Sequence, residues 1–556
     1  MTFGSVLTGT DLPYRPWRMA RVTHPRRLPS SLVFLAIALV IAGCAPTEPA
    51  PPASAAAVTG SVPPGASASA GSSADPTAAA SAGSSAAAST GPSAGPTLPP
   101  ATKAHWTDCG KSFQCATIKV PRDYGDAHAG MIDLSLIRLP ATNRDERIGS
   151  LVINPGGPGG SGVEFVRDGG TEFPKAIREK FDLVGFDPRG VNSSSAVRCI
   201  DNLDGLADVD PSPDDAKELA ALVAQAHDYA DACAERNATL LPYLSTDAVA
   251  QDLDRIRVAV GDERLSYLGF SYGTLIGSMY ADRFPDKIRA MVLDGALDPS
   301  LSESQLRTGQ AKAFEASLKR FFSWCSHRRS CSFYQGGHTQ AAYDKLMQAI
   351  DKKPIRILRY AGRRRVGPGL AYSATLGAMY DKAAWPSLAL ALYMAKAGDG
   401  RYLVAISDPF RGRKPNGAYS NQSDAYFANT CLDFPVSADV ATYQAMAASF
   451  ARVAPHFRAA AYNDLTCAFW PIAAQRTPAP ASGTGAPPIV VVGSTGDPAT
   501  PYAWAKSLAG QLESGVLVTR KGDGHTGYFF SPCVKKSVNA YLLDLTVPKD
   551  GLVCKS

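Results

Sequence analysis

"LGFSYGT" (Leu268–Thr274) contains Gly269-Phe270-Ser271-Tyr272-Gly273, a G-x-S-x-G, where an apolar run gives way to a helix-like one. "LSYLGFSYG" (Leu265–Gly273) reads as a short buried strand and "TLIGSMYADRFP" after it as a helix. A nucleophile elbow needs this join: the strand ends, the chain turns sharply, and the helix starts beneath the serine side chain. Glycines on either side suit a turn in which backbone segments approach too closely for a Cβ. The amides of the helix N-terminus would face developing negative charge. In a chain with 49 glycines the five-residue pattern carries little weight alone, so the reading depends on whether partners for Ser271 lie downstream.

A serine at its ordinary pKa is a poor nucleophile. It needs a base, and the base needs an orienting acid. On a sheet with an elbow of this kind the chain order is serine, acid, histidine. Downstream lie "STGDPATP", with Asp497 just past an apolar strand, and "GDGHTGY", with His525 just past the next. His525 is the only histidine C-terminal to Asp497. Taken singly, Asp497 reads as a turn residue beside Pro498, His525 as a loop histidine, and Asp523 competes as the acid. Taken together and in order, Ser271, Asp497 and His525 read as a catalytic triad. The oxyanion donors expected with it are the Tyr272 N–H and one from the glycine-rich "NPGGPGGSG" (Asn154–Gly162), which directly follows the strand "SLVI".

The strand and helix rhythm extends in both directions. "MIDLSLIRLP" (Met131–Pro140) alternates like a half-exposed strand. Further short strands are expected in Ser150–Gly157, Phe181–Gly190, Ile288–Pro299, Ala486–Pro501 and Ser514–Tyr528. This alternation predicts an α/β fold, a mostly parallel sheet flanked by helices. Between Ser300 and Ser482 the rhythm gives way to helical runs such as "LRTGQAKAFEASLKRFFSWC". A helical insert between two parts of one sheet predicts a cap over the active-site face. The expected division is a first core part at 102–299, a mainly helical cap at 300–485 and a C-terminal core part at 486–556.

The 556 residues include segments outside that core. Five arginines precede the apolar run "LVFLAIALVIAG" (Leu32–Gly43), which ends at Cys44. Residues 1–44 therefore read as a secretory signal, too short to span a membrane comfortably, with Met1 or Met19 as its start. Ile41-Ala42-Gly43-Cys44 resembles a bacterial lipobox, which would lipidate Cys44; the alternative is an ordinary signal with a fortuitous cysteine. Residues 45–101 are almost wholly Ala, Ser, Pro, Gly and Thr. They have no large side chains to bury and read as a disordered tether. Much of the net charge of +6 belongs to the signal, and no basic stripe with interleaved aromatics argues for nucleic acid. "RYAGRRRVG" (Arg359–Gly367) reads as a solvated loop. Beyond Cys44 ten cysteines remain, an even number that favours disulfides in an exported protein. Nearest-neighbour pairing gives Cys109–Cys115, Cys199–Cys233, Cys325–Cys331, Cys431–Cys467 and Cys533–Cys554. No zinc-type spacing occurs, so neither a metal nor a cofactor is expected.

"NPGGPGGSG", "GFDPRGVNSS", "LGFSYGT", "VVGSTGDPATP" and "GDGHTGY", in this order, resemble the secreted tripeptidyl aminopeptidases of actinobacteria. These are α/β-hydrolases allied to the proline iminopeptidases. The resemblance covers most of Thr102–Ser556 and is strongest outside the cap. It implies an α/β-hydrolase fold, export with a lipid anchor or release, and a monomer that cleaves short peptides from free N-termini through an acyl-enzyme. It places Gly157 as the second oxyanion donor. The iminopeptidases have a histidine where this chain has Pro155, a change that leaves the backbone donor in place. Arg189, in the run Phe186–Gly190, is implied to pin loops by hydrogen bonds. An exopeptidase also needs a cap carboxylate to hold the substrate ammonium; Asp433 is the candidate, with Asp424 and Glu303 as alternatives. Two other readings stay open: an esterase or lipase using the same triad, and a catalytically inactive envelope binding protein.

Overall fold

The computed structural model describes residues 98–357 and 364–555. The signal, Cys44, most of the tether and the first five residues of the Arg359–Gly367 stretch lie outside the described residues. The strands are β1 (Thr107–Asp108), β2 (Gln114–Pro121), β3 (Met131–Leu139), β4 (Gly149–Asn154), β5 (Phe181–Phe186), β6 (Leu265–Phe270) and β7 (Ile288–Asp294). They continue with β8 (Ile355–Arg356), β9 (Arg365–Val366), β10 (Ile489–Gly496), β11 (Gly515–Asp523) and β12 (Leu552–Lys555). Ten of them form one sheet in the order β1-β2-β3-β5-β4-β6-β7-β10-β11-β12, and β8 and β9 make a separate ribbon. From β5 to β12 every pairing is parallel, while β1, β2 and β3 add an antiparallel edge.

The sequence dictates which strands are central. "GSLVIN" in β4 and "LSYLGF" in β6 are buried at all six positions, because both sheet faces are covered by helices and neither strand can present a polar side. Nearer the edge, β3 keeps the alternation read from its sequence. One face is packed by α4 (Thr246–Val260), α5 (Gly273–Arg283) and α13 (Tyr502–Gln511), through residues such as Leu253, Ile276 and Leu508. The other is packed by α1 (Gly162–Gly169), α2 (Lys175–Lys180) and α14 (Pro532–Asp544), through Val166, Ile177 and Val538. Local signals set the helix ends. Ser245 caps α4 at its start and Gly261, at φ +87°, ends it.

Between β7 and β10 runs the helical insert. It comprises α6 (Glu303–Ser326), α7 (Thr339–Lys352), α8 (Pro368–Met379), α9 (Trp385–Lys396), α10 (Arg401–Phe410), α11 (Gln422–Asp433) and α12 (Val440–Val453). A full capping box, Ser302 with Gln305, starts α6. The insert has its own apolar core, built around Phe321, Trp385, Leu392 and Phe457. The helix α3 (Ala216–Asn237) lies in the stretch read as first core part, yet its Tyr229, Ala230 and Cys233 pack with Ala428, Cys431 and Cys467 of the insert. All ten cysteines among the described residues are disulfide-bonded, each with its nearest-neighbour partner.

Candidate active site

Ser271 stands at the turn between β6 and α5 with φ +53°, a left-handed conformation that costs a non-glycine residue energy. Three hydrogen bonds hold it there. Its N–H donates to the Asp294 carbonyl at 2.9 Å, and its carbonyl accepts from the Thr274 N–H and hydroxyl at 2.8 and 2.6 Å. Close approach explains the flanking glycines. A Cβ on Gly269 would stand 2.5 Å from the Gly273 carbonyl oxygen, and one on Gly273 would stand 2.8 Å from Asn154 Oδ1.

The glycine-rich loop after β4 crosses directly over this turn. Gly156 has φ +93°, and a Cβ there would lie 2.5 Å from the Phe270 carbonyl oxygen, 2.8 Å from Ser271 Cβ and 3.0 Å from the Tyr272 nitrogen. The loop therefore brings Gly156, the residue before Gly157, against Tyr272. Neither the Gly157 nor the Tyr272 N–H donates to another described residue; Gly157 is exposed, whereas Tyr272 is buried, where amides are nearly always paired.

Asp497, at the end of β10, receives four N–H groups: Ala499 and Thr500 at 3.0 and 2.9 Å, Thr526 at 3.1 Å, and His525 Nδ1 at 2.9 Å from both oxygens. Facing that carboxylate, Nδ1 is the ring nitrogen that carries the proton. The other nitrogen, Nε2, is buried and makes no hydrogen bond with any described residue, Ser271 included. A Cβ on Gly295 would stand 3.0 Å from His525 Cε1, so the imidazole lies against the residue that follows the Ser271 anchor Asp294. The cap completes the setting: the Tyr380 carbonyl accepts the His525 N–H at 2.8 Å, and its ring meets the imidazole edge-on at 5.4 Å.

The alternative acid, Asp523, pairs instead with Arg320 at 2.6 Å and Lys382 at 3.2 Å. A residue that sequence reasoning missed is Asp294. Its buried carboxylate accepts the Gly527 N–H at 2.8 Å and the Tyr528 N–H at 2.7 Å, two residues in the loop that carries His525. Burial pushes this carboxyl up to about 6, opposed by those two N–H bonds and by His525.

Asp433 is not placed as an open anchor. It is fully buried and accepts the Thr246 N–H at 2.9 Å and the Thr246 hydroxyl, which also meets the Tyr272 hydroxyl. Its place at the end of α11 turns the carboxylate toward the N-terminus of α4, so it supports the side chain of Tyr272 from behind. Asp424 is likewise buried, with the Tyr229 hydroxyl donating to it. Arg189, also buried, binds Asp252 at 2.7 and 2.6 Å and donates to the carbonyls of Pro121, Arg122 and Tyr243. Among the described residues one acidic trio, Asp210, Glu218 and Asp351, has carboxylate oxygens within 4.8 Å of one another. Those groups are half-exposed, and none takes part in the Ser271 site.

A serine at a strained strand-to-helix turn, a histidine held by a buried aspartate and two unengaged amides beside the serine define a serine hydrolase of the α/β class. The profile described as "alpha/beta hydrolase fold" matches residues 149–389, and the one described as "TAP-like protein" matches 454–554. The serine protease Hip1 of Mycobacterium tuberculosis is 37% identical over 473 residues, 81% of this chain and 90% of that protein. The tripeptidyl aminopeptidase of Streptomyces lividans is 34% identical over 460 residues, 79% and 84% of the two chains. A Mycobacterium tuberculosis protein named carboxylesterase B is 34% identical over 463 residues, 80% of this chain and 86% of its own. The chain belongs to the α/β-hydrolase family, in the group that carries the TAP-like C-terminal region.

Proposed function

We propose that this protein is an exported serine exopeptidase that releases short peptides, tripeptides foremost, from free N-termini of peptide or protein substrates. The pairing of His525 with Asp497 beside the Ser271 turn carries the reading, and the names of the two peptidase relatives support its peptide-directed form. In the reaction, Ser271 Oγ attacks the scissile carbonyl as His525 Nε2 takes its proton; the two atoms come into hydrogen-bond contact as substrate seats. Asp497 fixes the imidazole tautomer and stabilises the imidazolium. The Tyr272 and Gly157 N–H groups receive the oxyanion. His525 then gives the proton to the leaving amine, and water cleaves the acyl-enzyme by the same steps in reverse. Five disulfides support an oxidising compartment, and the lipobox-like Ile41–Cys44 supports a lipid anchor at the outer face of the cell membrane. No partner subunit enters the mechanism, and we take the working form as a monomer.

One observation favours a second reading. A relative of similar identity carries an esterase name, and an ester carbonyl would meet the same serine and amides. The deciding experiment compares tri-alanyl p-nitroanilide with a free N-terminus against its acetylated form and against a p-nitrophenyl ester, using wild type and Ser271→Ala. Cleavage confined to the free amine, and lost in Ser271→Ala, supports the exopeptidase. Ester hydrolysis with no amide cleavage replaces it by the esterase.

A further inference from the structure

Arg520 stands on β11, upstream of His525 on the same strand and loop, and is 6% exposed. Its guanidinium reaches the loop that carries the base. Nη1 donates to the carbonyls of Gly524 and Thr526 at 3.4 and 3.1 Å, and Nη2 donates to the Asp523 carbonyl at 3.0 Å. Gly524 and Thr526 are the residues on either side of His525. Nη1 also lies 3.4 Å from Ser494 Oγ, whose hydroxyl donates to the same Thr526 carbonyl at 2.7 Å. The Phe530 ring covers the group, its centroid 5.2 Å away. Every one of these acceptors is a neutral oxygen, and the buried Nε has no partner among the described residues. A buried cation with no carboxylate in direct contact is costly to desolvate. A neutral amide could donate to the same carbonyls, so the hydrogen bonds alone do not explain the charge.

The surrounding charges do. Burial pulls the guanidinium below its ordinary pKa, and the carboxylates of Asp294 first, then Asp497, Asp381 and Asp523, act against that pull. Asp523 is already paired with Arg320 and Lys382, and Asp381 accepts the Ala383 N–H in a turn of the cap. Asp294 and Asp497 are both buried, and both act on His525: Asp497 by direct contact, Asp294 through its field. Tyr380 is the other titratable side chain against the imidazole. Two buried carboxylates and one buried guanidinium thus surround the base. Without the guanidinium, the imidazole would sit in the field of two carboxylates and keep a proton on Nε2 to higher pH. A protonated Nε2 cannot accept the proton of Ser271.

We propose that Arg520 is a positioning residue of the triad: it grips the carbonyls on both sides of His525, and its charge offsets that of Asp294, so that Asp497 alone sets the charge felt by the imidazole. This rests on the triad reading above and adds a fourth side chain that acts through the base without touching substrate. The free enzyme then holds a neutral imidazole ready for the serine proton. When that proton arrives, Asp497 is the partner of the imidazolium, and Arg520 and Asp294 cancel behind it.

The test follows the rate at which a fluorophosphonate probe labels Ser271 as pH is varied, in the full-length chain, for wild type, Arg520→Gln and Arg520→Lys. Circular dichroism reports whether each variant is folded. Arg520→Gln keeps donors for the carbonyls and loses the charge, so the midpoint of the acid limb is expected to rise by about one pH unit. Well below the wild-type midpoint, labelling should then be about tenfold slower. Arg520→Lys keeps the charge but not the planar fork; its midpoint should stay within about 0.3 unit of wild type. A midpoint that does not move in folded Arg520→Gln, or that moves equally in Arg520→Lys, overturns the inference and leaves the guanidinium a staple for the loop. Should Arg520→Gln not fold, Asp294→Asn takes its place. Loss of that carboxylate leaves the Arg520 charge in excess, and the midpoint should fall; an unchanged or higher midpoint overturns the inference. A folded wild type that the probe does not label at any pH would end the triad reading itself.

Discussion

The Ser271 N–H donates to the carbonyl of Asp294 at 2.9 Å, while the Asp294 carboxylate binds the backbone of the loop that carries His525. One residue at the end of β7 thus ties the nucleophile turn to the base. Registry makes this possible: β7 lies between β6 and β10, so its last residue stands between the serine and histidine loops.

Asp294→Asn tests that tie through pH. Burial holds the native carboxyl near 6, above its value in the unfolded chain. The folded state therefore binds the proton more tightly, and stability is lost as pH rises from about 4 through about 6. Asparagine does not ionise. It carries a constant penalty for placing an NH2 group near two N–H donors, but not the pH-dependent one. The stability of the variant relative to wild type should improve by roughly 2–3 kcal/mol between pH 4 and pH 7. Thermal unfolding across that range measures it, and a flat difference would refute the argument.

Asp497 and Asp523 stand at the ends of adjacent strands, and the two should separate cleanly in kinetics. Asp497→Asn removes the acceptor that fixes the His525 tautomer, with an expected loss in kcat of about 10³–10⁴. Asp523→Asn breaks only partly exposed pairs with Arg320 and Lys382, so kcat should stay within about threefold. Steady-state rates on one substrate decide it. A larger loss in Asp523→Asn would reverse the assignment.

That contrast marks how far the sequence could be read. The Ser271 turn was legible because a G-x-S-x-G between an apolar run and a helical run specifies local geometry. The central strands were legible because apolar runs buried on both faces have no other use here. The short edge strands β1 and β12 were not, since two to four residues carry no period. Asp433 was misplaced for a reason of the same kind. Its sequence neighbourhood shows a carboxylate in the cap, but only the packing of α11 against α4 shows that the carboxylate turns to Thr246. Asp294 escaped notice because "VLDG" reads as a strand end, and its role arises from two neighbours distant in sequence.

Gly156→Ala probes the crossing of the glycine loop over the nucleophile. The native φ of +93° is strained for alanine, and its Cβ would meet the Phe270 carbonyl at 2.5 Å and Ser271 Cβ at 2.8 Å. The loop must lift, taking Gly157 away from Tyr272. Loss of one oxyanion donor costs about 10²–10³ in kcat. Because the triad is untouched, fluorophosphonate labelling should slow and not vanish. Wild-type turnover in the variant would show that the loop contributes no donor.

His456 gives the cap a pH dependence opposite in origin to that of Asp294. Its Nδ1 meets Glu315 of α6 at 2.9 Å and its Nε2 meets Asp344 of α7 at 2.9 Å, with Phe322 and Tyr343 packed against the ring. Lys319 also reaches Glu315, at 3.4 Å. Burial would push the imidazole down, but the two carboxylates outweigh it and hold its pKa above the ordinary value. The stabilisation is therefore fully present below the unfolded value near 6.5 and is lost as pH rises through the folded value. His456→Gln should cost on the order of 2 kcal/mol at pH 5.5 and much less at pH 9. Thermal unfolding of both proteins at the two pH values measures the difference. A cost that is equal at both, or larger at pH 9, would mean that the ring acts by packing alone and that the charged clamp between α6 and α7 does not form.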